Sequence, residues 1–149
     1  MRSIQLLIGT SLYGKQRGVS VMSVGYNGRF MRLPVNSYEA GRTMTHHRMV
    51  LLSLLSFLRA NELHNVRLEV YSSNDEAAFE WMTEYKEDGA FSEQTLDRDL
   101  WTAIARIVSG ADIELALYGS DSALSDAARA LRCTNSIQRS AYAKEAHNA

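Results

Sequence analysis

The stretch from Thr43 to Asn61, TMTHHRMVLLSLLSFLRAN, limits most severely what this chain can fold into. It holds no Gly or Pro. Met44, Met49, Val50, Leu51, Leu52, Leu54, Leu55, Phe57 and Leu58 follow a 3.6-residue period, over an apolar arc wider than a single core-facing stripe. Only Ser53 and Ser56 interrupt its middle. The run is too short, and too charged at its ends, to cross a bilayer, so it is expected to lie between other elements of a soluble domain. Thr43 or Thr45 offers a hydroxyl to cap its start.

The flanking segments read mainly as strands. Ile4 to Ile8 is a short apolar run suited to a strand buried on both faces, and Gly9, Thr10, Ser11, Gly14 and Gly18 then predict a loop. Val19 to Tyr26 is β-rich and ends at Asn27-Gly28, a dipeptide that favours a type I′ turn because both central residues need positive φ. The second strand therefore pairs antiparallel with a third, residues 29 to 35. Pro34, which has no N–H to give to a ladder, puts that third strand at an edge. Val66, Leu68 and Val70 alternate with Arg67, Glu69 and Tyr71, so a fourth strand follows the central helix through a parallel, right-handed crossover.

Ser73 to Asp75 opens a second helix through about Tyr85, with Ala78, Trp81, Met82 and Tyr85 on its packing side. Leu100, Trp101, Ile104, Ala105, Ile107 and Val108 predict a third helix capped by Gly110. Ile113, Leu115 and Leu117 mark a fifth strand, and Ser122 or Ser125 starts a last helix that runs to Arg132. The expected organisation is one domain over residues 1–132 and a frayed or mobile tail over 133–149.

Composition narrows the class. With 46% hydrophobic and 22% charged residues in 149, the chain is neither disordered nor collagen-like. Cys133 is the single cysteine and cannot form an internal disulfide, and residues 1–10 lack the pattern of a signal peptide, so an intracellular, cytoplasmic protein without a membrane span is expected. The net charge of −1 conceals an asymmetry. Residues 1–67 carry nine Lys and Arg against Glu39 and Glu62, a net of +7, and the remainder carries seven basic and fifteen acidic side chains, a net of −8. His46 and His47 are adjacent and diverge by about 100° on a helix, while His64 and His147 have no partner at ligand spacing, so no metal centre is expected. Residues Gly9 to Gly14 lack the spacing of a nucleophile elbow or a phosphate loop.

The order of elements, and four motifs within it, resemble ribonuclease H. Thr45-His46-His47-Arg48-Met49-Val50-Leu51 is similar to that family's T-x-N-N-R-M-E-L, and Leu68 to Asp75 to its hydrophobic strand followed by S-T-D-S. Asp99-Leu100-Trp101 resembles the D-L-W that opens a late helix, and Ser125-Asp126-Ala127-Ala128-Arg129 resembles the closing x-D-x-L-A-R. The resemblance implies an α/β fold with a five-stranded mixed sheet in the order 3-2-1-4-5 and helices on both faces. In that fold the third strand lies at an edge, as Pro34 requires.

Family catalysis uses four carboxylates around two Mg²⁺ ions that activate water against a phosphodiester. Carried over residue by residue, the first-strand Asp falls on Gly9 or Thr10, the central-helix Glu on Val50, the fourth-strand Asp on Ser73 or Asn74, and the last on Asp126. Only Asp126 is acidic. The family's loop with a mobile His is shortened here to Gly119-Ser120-Asp121-Ser122 and holds none. The expectation is a pseudo-nuclease that needs no cofactor. Residual Mg²⁺-dependent hydrolysis with Asp75, Glu76, Asp121 and Asp126 rearranged as ligands is the alternative.

Substrate grip departs as well. In place of the basic, Trp-rich protrusion of many members, residues 84–99 hold six acidic side chains against Lys86 and Arg98 and would repel phosphate. The basic N-terminal half remains, with Ser11, Lys15, Arg17, Arg42, His46, His47 and Arg48 as nucleic-acid contacts, Tyr13 beside them, if the first hairpin adjoins the helix start. The expected partner is an RNA–DNA hybrid or duplex. A protein-interaction or oligomerisation role, with a partner on the acidic 84–99 segment, is the alternative.

Overall fold

Three antiparallel and two parallel pairings join six strands into one mixed sheet. The computed structural model describes residues 1–39, 43–72, 74, 75, 77, 78, 81 and 97–119. The strands are β1 (Arg2–Tyr13), β2 (Arg17–Tyr26), β3 (Arg29–Arg32), β4 (Asn36–Glu39), β5 (Val66–Tyr71) and β6 (Ile113–Tyr118). Their order is β3-β2-β1-β5-β6, with β4 also paired to β2. Two helices have described bounds, α1 (His46–Ala60) and α2 (Arg98–Gly110), and residues 75, 77, 78 and 81 are helical too.

Local chemistry sets several boundaries. Asn27 and Gly28 take φ of 54° and 77°, the positive pair a type I′ hairpin needs. The Thr45 hydroxyl accepts from Arg48 N at 3.0 Å and caps α1. Pro34 does more than mark an edge. The expected single strand over 29–35 is broken: Leu33 N donates the last bond of that stretch, to Met22 O at 2.9 Å, and the chain re-pairs with β2 only from Asn36. The expected loop at Gly9–Gly18 is instead mostly ladder, because β1 stays in register with β2 down to Tyr13 opposite Arg17. Gly110 is the last helical residue rather than a left-handed cap, and Asp112, with φ of 53°, takes that conformation instead.

The pleat decides what is core. Leu6 and Ile8, then Val66, Leu68 and Val70, then Ile113, Leu115 and Leu117 project to one face of the sheet, where α1 and α2 cover them. The wide apolar arc of α1 follows from contact with the sheet on one side and α2 on the other. Trp101 of α2 is fully buried and stacks on Trp81, with ring centroids 5.6 Å apart; Trp81 Nε1 donates to Leu115 O at 2.9 Å. On the opposite face, Leu7, Val21 and Tyr71 form a smaller cluster edged by Val35 and Tyr118, whose ring stacks on Tyr71 at 4.8 Å. Both described helices lie on the first face. The expected last helix, the boundary at 132, the tail, Met82 and Tyr85 fall outside the described residues.

Two serines cross the α1–β2 contact. Ser53 Oγ lies 2.7 Å from Met49 O and 2.9 Å from Ser20 Oγ, and both residues are wholly buried. With one proton each, the two hydroxyls form a short chain that ends on the carbonyl. Ser53→Ala strands the Ser20 hydroxyl and is expected to cost about 1–2 kcal/mol in urea unfolding. The Ser20→Ala, Ser53→Ala double variant is expected to cost less than the sum of the two single ones.

Candidate nucleic-acid interface

Thr10 stands on the face of β1 that carries Leu6 and Ile8, under α1, and Gly9 stands on the other. Of the two positions the resemblance allows for the first acid, Thr10 is thus the one facing the helix. Its buried hydroxyl lies 2.9 Å from His46 Nδ1, at the first residue of α1. Val50, one turn further along, is 1% exposed and packed in the main core. Asn74 is a helix cap: its Oδ1 accepts from Ala77 N at 2.8 Å, and its own N–H donates to Ser72 Oγ at 3.2 Å.

A pair of Mg²⁺ ions needs several anionic oxygens aimed at one point. This set offers a hydroxyl already bonded to an imidazole, two methyl groups and an amide oxygen already accepting a backbone N–H. The described residues at these positions do not fit the ions. Asp75 turns its carboxyl against Gly119, where a side chain at 119 would collide with it. Among the described residues no three His, Cys, Asp or Glu side chains gather to hold a metal. Ser73, Glu76, Asp121 and Asp126 lie outside the described residues.

The starts of α1 and α2 are clamped together. His47 Nδ1 lies 2.6 Å from Asp97 Oδ2, and Arg48 Nη1 donates to Asp97 Oδ1 at 2.8 Å. The same guanidinium reaches Asp99 through two bonds, Nη1 to Oδ1 at 3.3 Å and Nη2 to Oδ2 at 3.1 Å. The side chains of His47 and Asp97 are 3% and 8% exposed. Burial pushes the Asp97 carboxyl up, but hydrogen bonds from His47 and Arg48 outweigh it and hold the group below the usual carboxylate range. Arg48 is held above its ordinary value, chiefly by its hydrogen bond to Asp99. Asp97 also has φ of 54°, a left-handed conformation that Asp and Asn tolerate better than most residues.

The expected contact residues separate on this geometry. His47 and Arg48 hold α1 to α2 rather than facing solvent. Asp97 and Asp99, read in the sequence as part of an acidic protein-binding segment, are their partners, and residues 84–96 lie outside the described ones. Ser11 is half-buried on β1, Lys15 is exposed at the β1–β2 turn, and Arg17 pairs with Glu39 of β4 at 3.5 Å. Met44 N donates to Lys15 O at 2.6 Å, so the first hairpin does adjoin the start of α1. Arg42 is outside the described residues, as is the side chain of Tyr13. The acids that fix Arg48 lie about fifty residues away in sequence; the D-L-W motif, which contains Asp99, was their only sequence signal. No helix among the described residues is long and apolar enough to cross a membrane.

A mixed sheet in this order, with a long helix crossing between its parallel strands, is the ribonuclease H-like fold, and the chain has it. LC9-RNase H1, a type 1 RNase H with the type 2 active-site motif, aligns with a TM-score of 0.58 at 17% identity, over 88% of this chain and 70% of that one. The PFV RNase H domain aligns at 0.53 and 12% identity, over 95% and 94% of the two chains. The N-terminal RNase H domain of rv2228c from Mycobacterium tuberculosis aligns at 0.51 and 11%, over 83% and 91%. At these identities the likeness is one of fold. No protein-family model matches the chain, and no curated protein matches it.

Proposed function

We propose that this chain is a ribonuclease H-like module that binds nucleic acid and does not hydrolyse it. The occupancy of the acidic positions carries the reading: Thr10 is bonded to His46, Val50 is in the core, and Asn74 caps a helix. Each position has a structural task in place of a metal. Binding is supported by the positive excess of residues 1–67 and by the tie between Lys15 and Met44, which sets an exposed lysine beside the start of α1. The contact set is Ser11, Lys15, Arg17 and His46, with Arg42 next to them in sequence. His47 and Arg48 are left out because buried contacts with Asp97 already hold them, whereas the Arg17–Glu39 pair is open to water and leaves Arg17 able to reach a phosphate.

An anisotropy titration against a labelled RNA–DNA hybrid at two salt concentrations tests the reading. Affinity is expected to fall steeply with salt, and Lys15→Gln to reduce the slope of log K against log salt by about 0.9. Absent or salt-independent binding would contradict it and turn attention to a protein partner.

A further inference from the structure

The nine basic residues of 1–67 fare differently in the fold. Arg17, Arg48 and Arg67 are ion-paired, to Glu39, to Asp97 and Asp99, and to Glu114. Among the described residues, Arg2, Lys15, Arg29, Arg32 and Arg59 are exposed and make no ion pair. Arg2, Arg29 and Arg32 lie at one end of the sheet, where the pleat turns Arg2 and Arg29 to the helix-covered face and Arg32 to the other. Arg29 and Arg32 flank the two central residues of β3, and Arg2 begins β1 alongside the β2–β3 turn. This is the end of the sheet away from Lys15, separated from it by the ten residues of β2, roughly 30 Å of strand.

Aromatic rings are interleaved with these charges. Tyr26 is 47% exposed and pairs across the hairpin with Arg29; Phe30 is 42% exposed and pairs with Gly25. The missing side chain at Gly25 is what seats Phe30, since a Cβ there would stand 2.5 Å from its Cε1. The ring therefore lies over the sheet with its outer face open. Between the hairpin and the start of β1 runs a groove of about 550 Å³, whose lining includes Arg2, Ser3, Gln5, Tyr26 and Asn27 and, among the described residues, no carboxylate.

We propose that the β2–β3 hairpin is a binding site for single-stranded nucleic acid that crosses the β3 edge, with Tyr26 stacking a base beside Arg2 and Arg29 on one face and Phe30 stacking another beside Arg32 on the opposite face. Unpaired guanidiniums would attract any polyanion. Two open π faces on rigid strand positions favour one that carries bases, because stacking on aromatic rings is tolerant of sequence and needs only an unpaired strand. The site rests on the reading of the chain as a nucleic-acid module, and places a second contact at the far end of the sheet.

The test is anisotropy on the full chain with a labelled oligothymidylate of about 15 nucleotides, alongside the hybrid duplex and an unlabelled polyglutamate competitor. Phe30→Ala and Tyr26→Ala are each expected to weaken single-strand binding about tenfold, and Phe30→Tyr to restore it, with the fold retained and the melting temperature lowered only by the lost packing of a half-exposed ring. Arg29→Gln is expected to lower the salt slope by about 0.7. Wild-type affinity in both alanine variants overturns the site, as does equal displacement by polyglutamate, which would mark the patch as one for acidic peptides. No single-strand binding with hybrid binding intact removes the hairpin site and leaves the module standing. Loss of both removes the two together.

Discussion

Replacing Asp97 by Asn lowers the unfolding free energy by about 3 kcal/mol at neutral pH, and the melting temperature by roughly 10 °C. The Asn keeps the left-handed conformation that the position requires, so the variant isolates charge from backbone. What it leaves behind is the cost: a buried His47 and an Arg48 whose side chain is only 12% exposed, without the carboxylate that both contact. Asp99 still holds Arg48, from a site open to water, which keeps the loss at the lower end of the range for a broken buried pair. The pH dependence has a definite sign. The folded-state pKa of Asp97 is depressed, so its stabilisation is present above the unfolded value of about 3.9 and is lost as pH falls through the folded one. The gap between wild type and Asp97→Asn is full at pH 7 and narrows below about pH 4. A gap of under about 0.5 kcal/mol at pH 7 in chemical denaturation would show that the clamp contributes nothing.

Restoring the acid of the central helix is expected to harm the fold by more. Val50→Glu puts a carboxylate at a position packed among the apolar side chains of the main core. Desolvation of a fully buried carboxyl raises its pKa by up to about 3–5 units, or about 4–7 kcal/mol at a pH where the unfolded chain is ionised. The loss begins above the unfolded Glu value of about 4.3 and grows with pH until the folded group ionises, so Val50→Glu is less damaging at pH 5 than at pH 8. Added Mg²⁺ is not expected to recover stability, because Thr10 and Asn74 supply no further charge. Recovery by Mg²⁺ in a thermal melt would mean that carboxylates outside the described residues already converge there.

The features legible in the sequence are those decided locally. The span of α1 followed from an uninterrupted helical period, its cap from Thr45, the hairpin from Asn27-Gly28, and β5 and β6 from their alternation. What stayed hidden depends on residues distant in sequence. Gly9 to Tyr13 read as loop by composition, yet becomes strand because Val19 to Val21 and Arg17 present a ladder to it. Pro34 was read as an edge marker, and its missing N–H in fact cuts one strand into two short ones. His47 and Arg48 read as surface contacts because their motif position suggested it, and nothing near them in sequence announced Asp97. Arg2, Arg29 and Arg32 count in the charge of the N-terminal half, but only the register of β1, β2 and β3 brings them to one end of the sheet, Arg2 and Arg29 on the face of Tyr26 and Arg32 on the face of Phe30.

The proposal that the chain does not hydrolyse nucleic acid is tested most directly by incubating the full chain with an end-labelled RNA–DNA hybrid, first with Mg²⁺ and then with Mn²⁺. No cleavage above the rate without protein is expected with either ion. Cleavage that disappears in an Asp126→Asn variant would contradict the account, since it would require Asp126 to work with ligands other than Thr10, Val50 and Asn74.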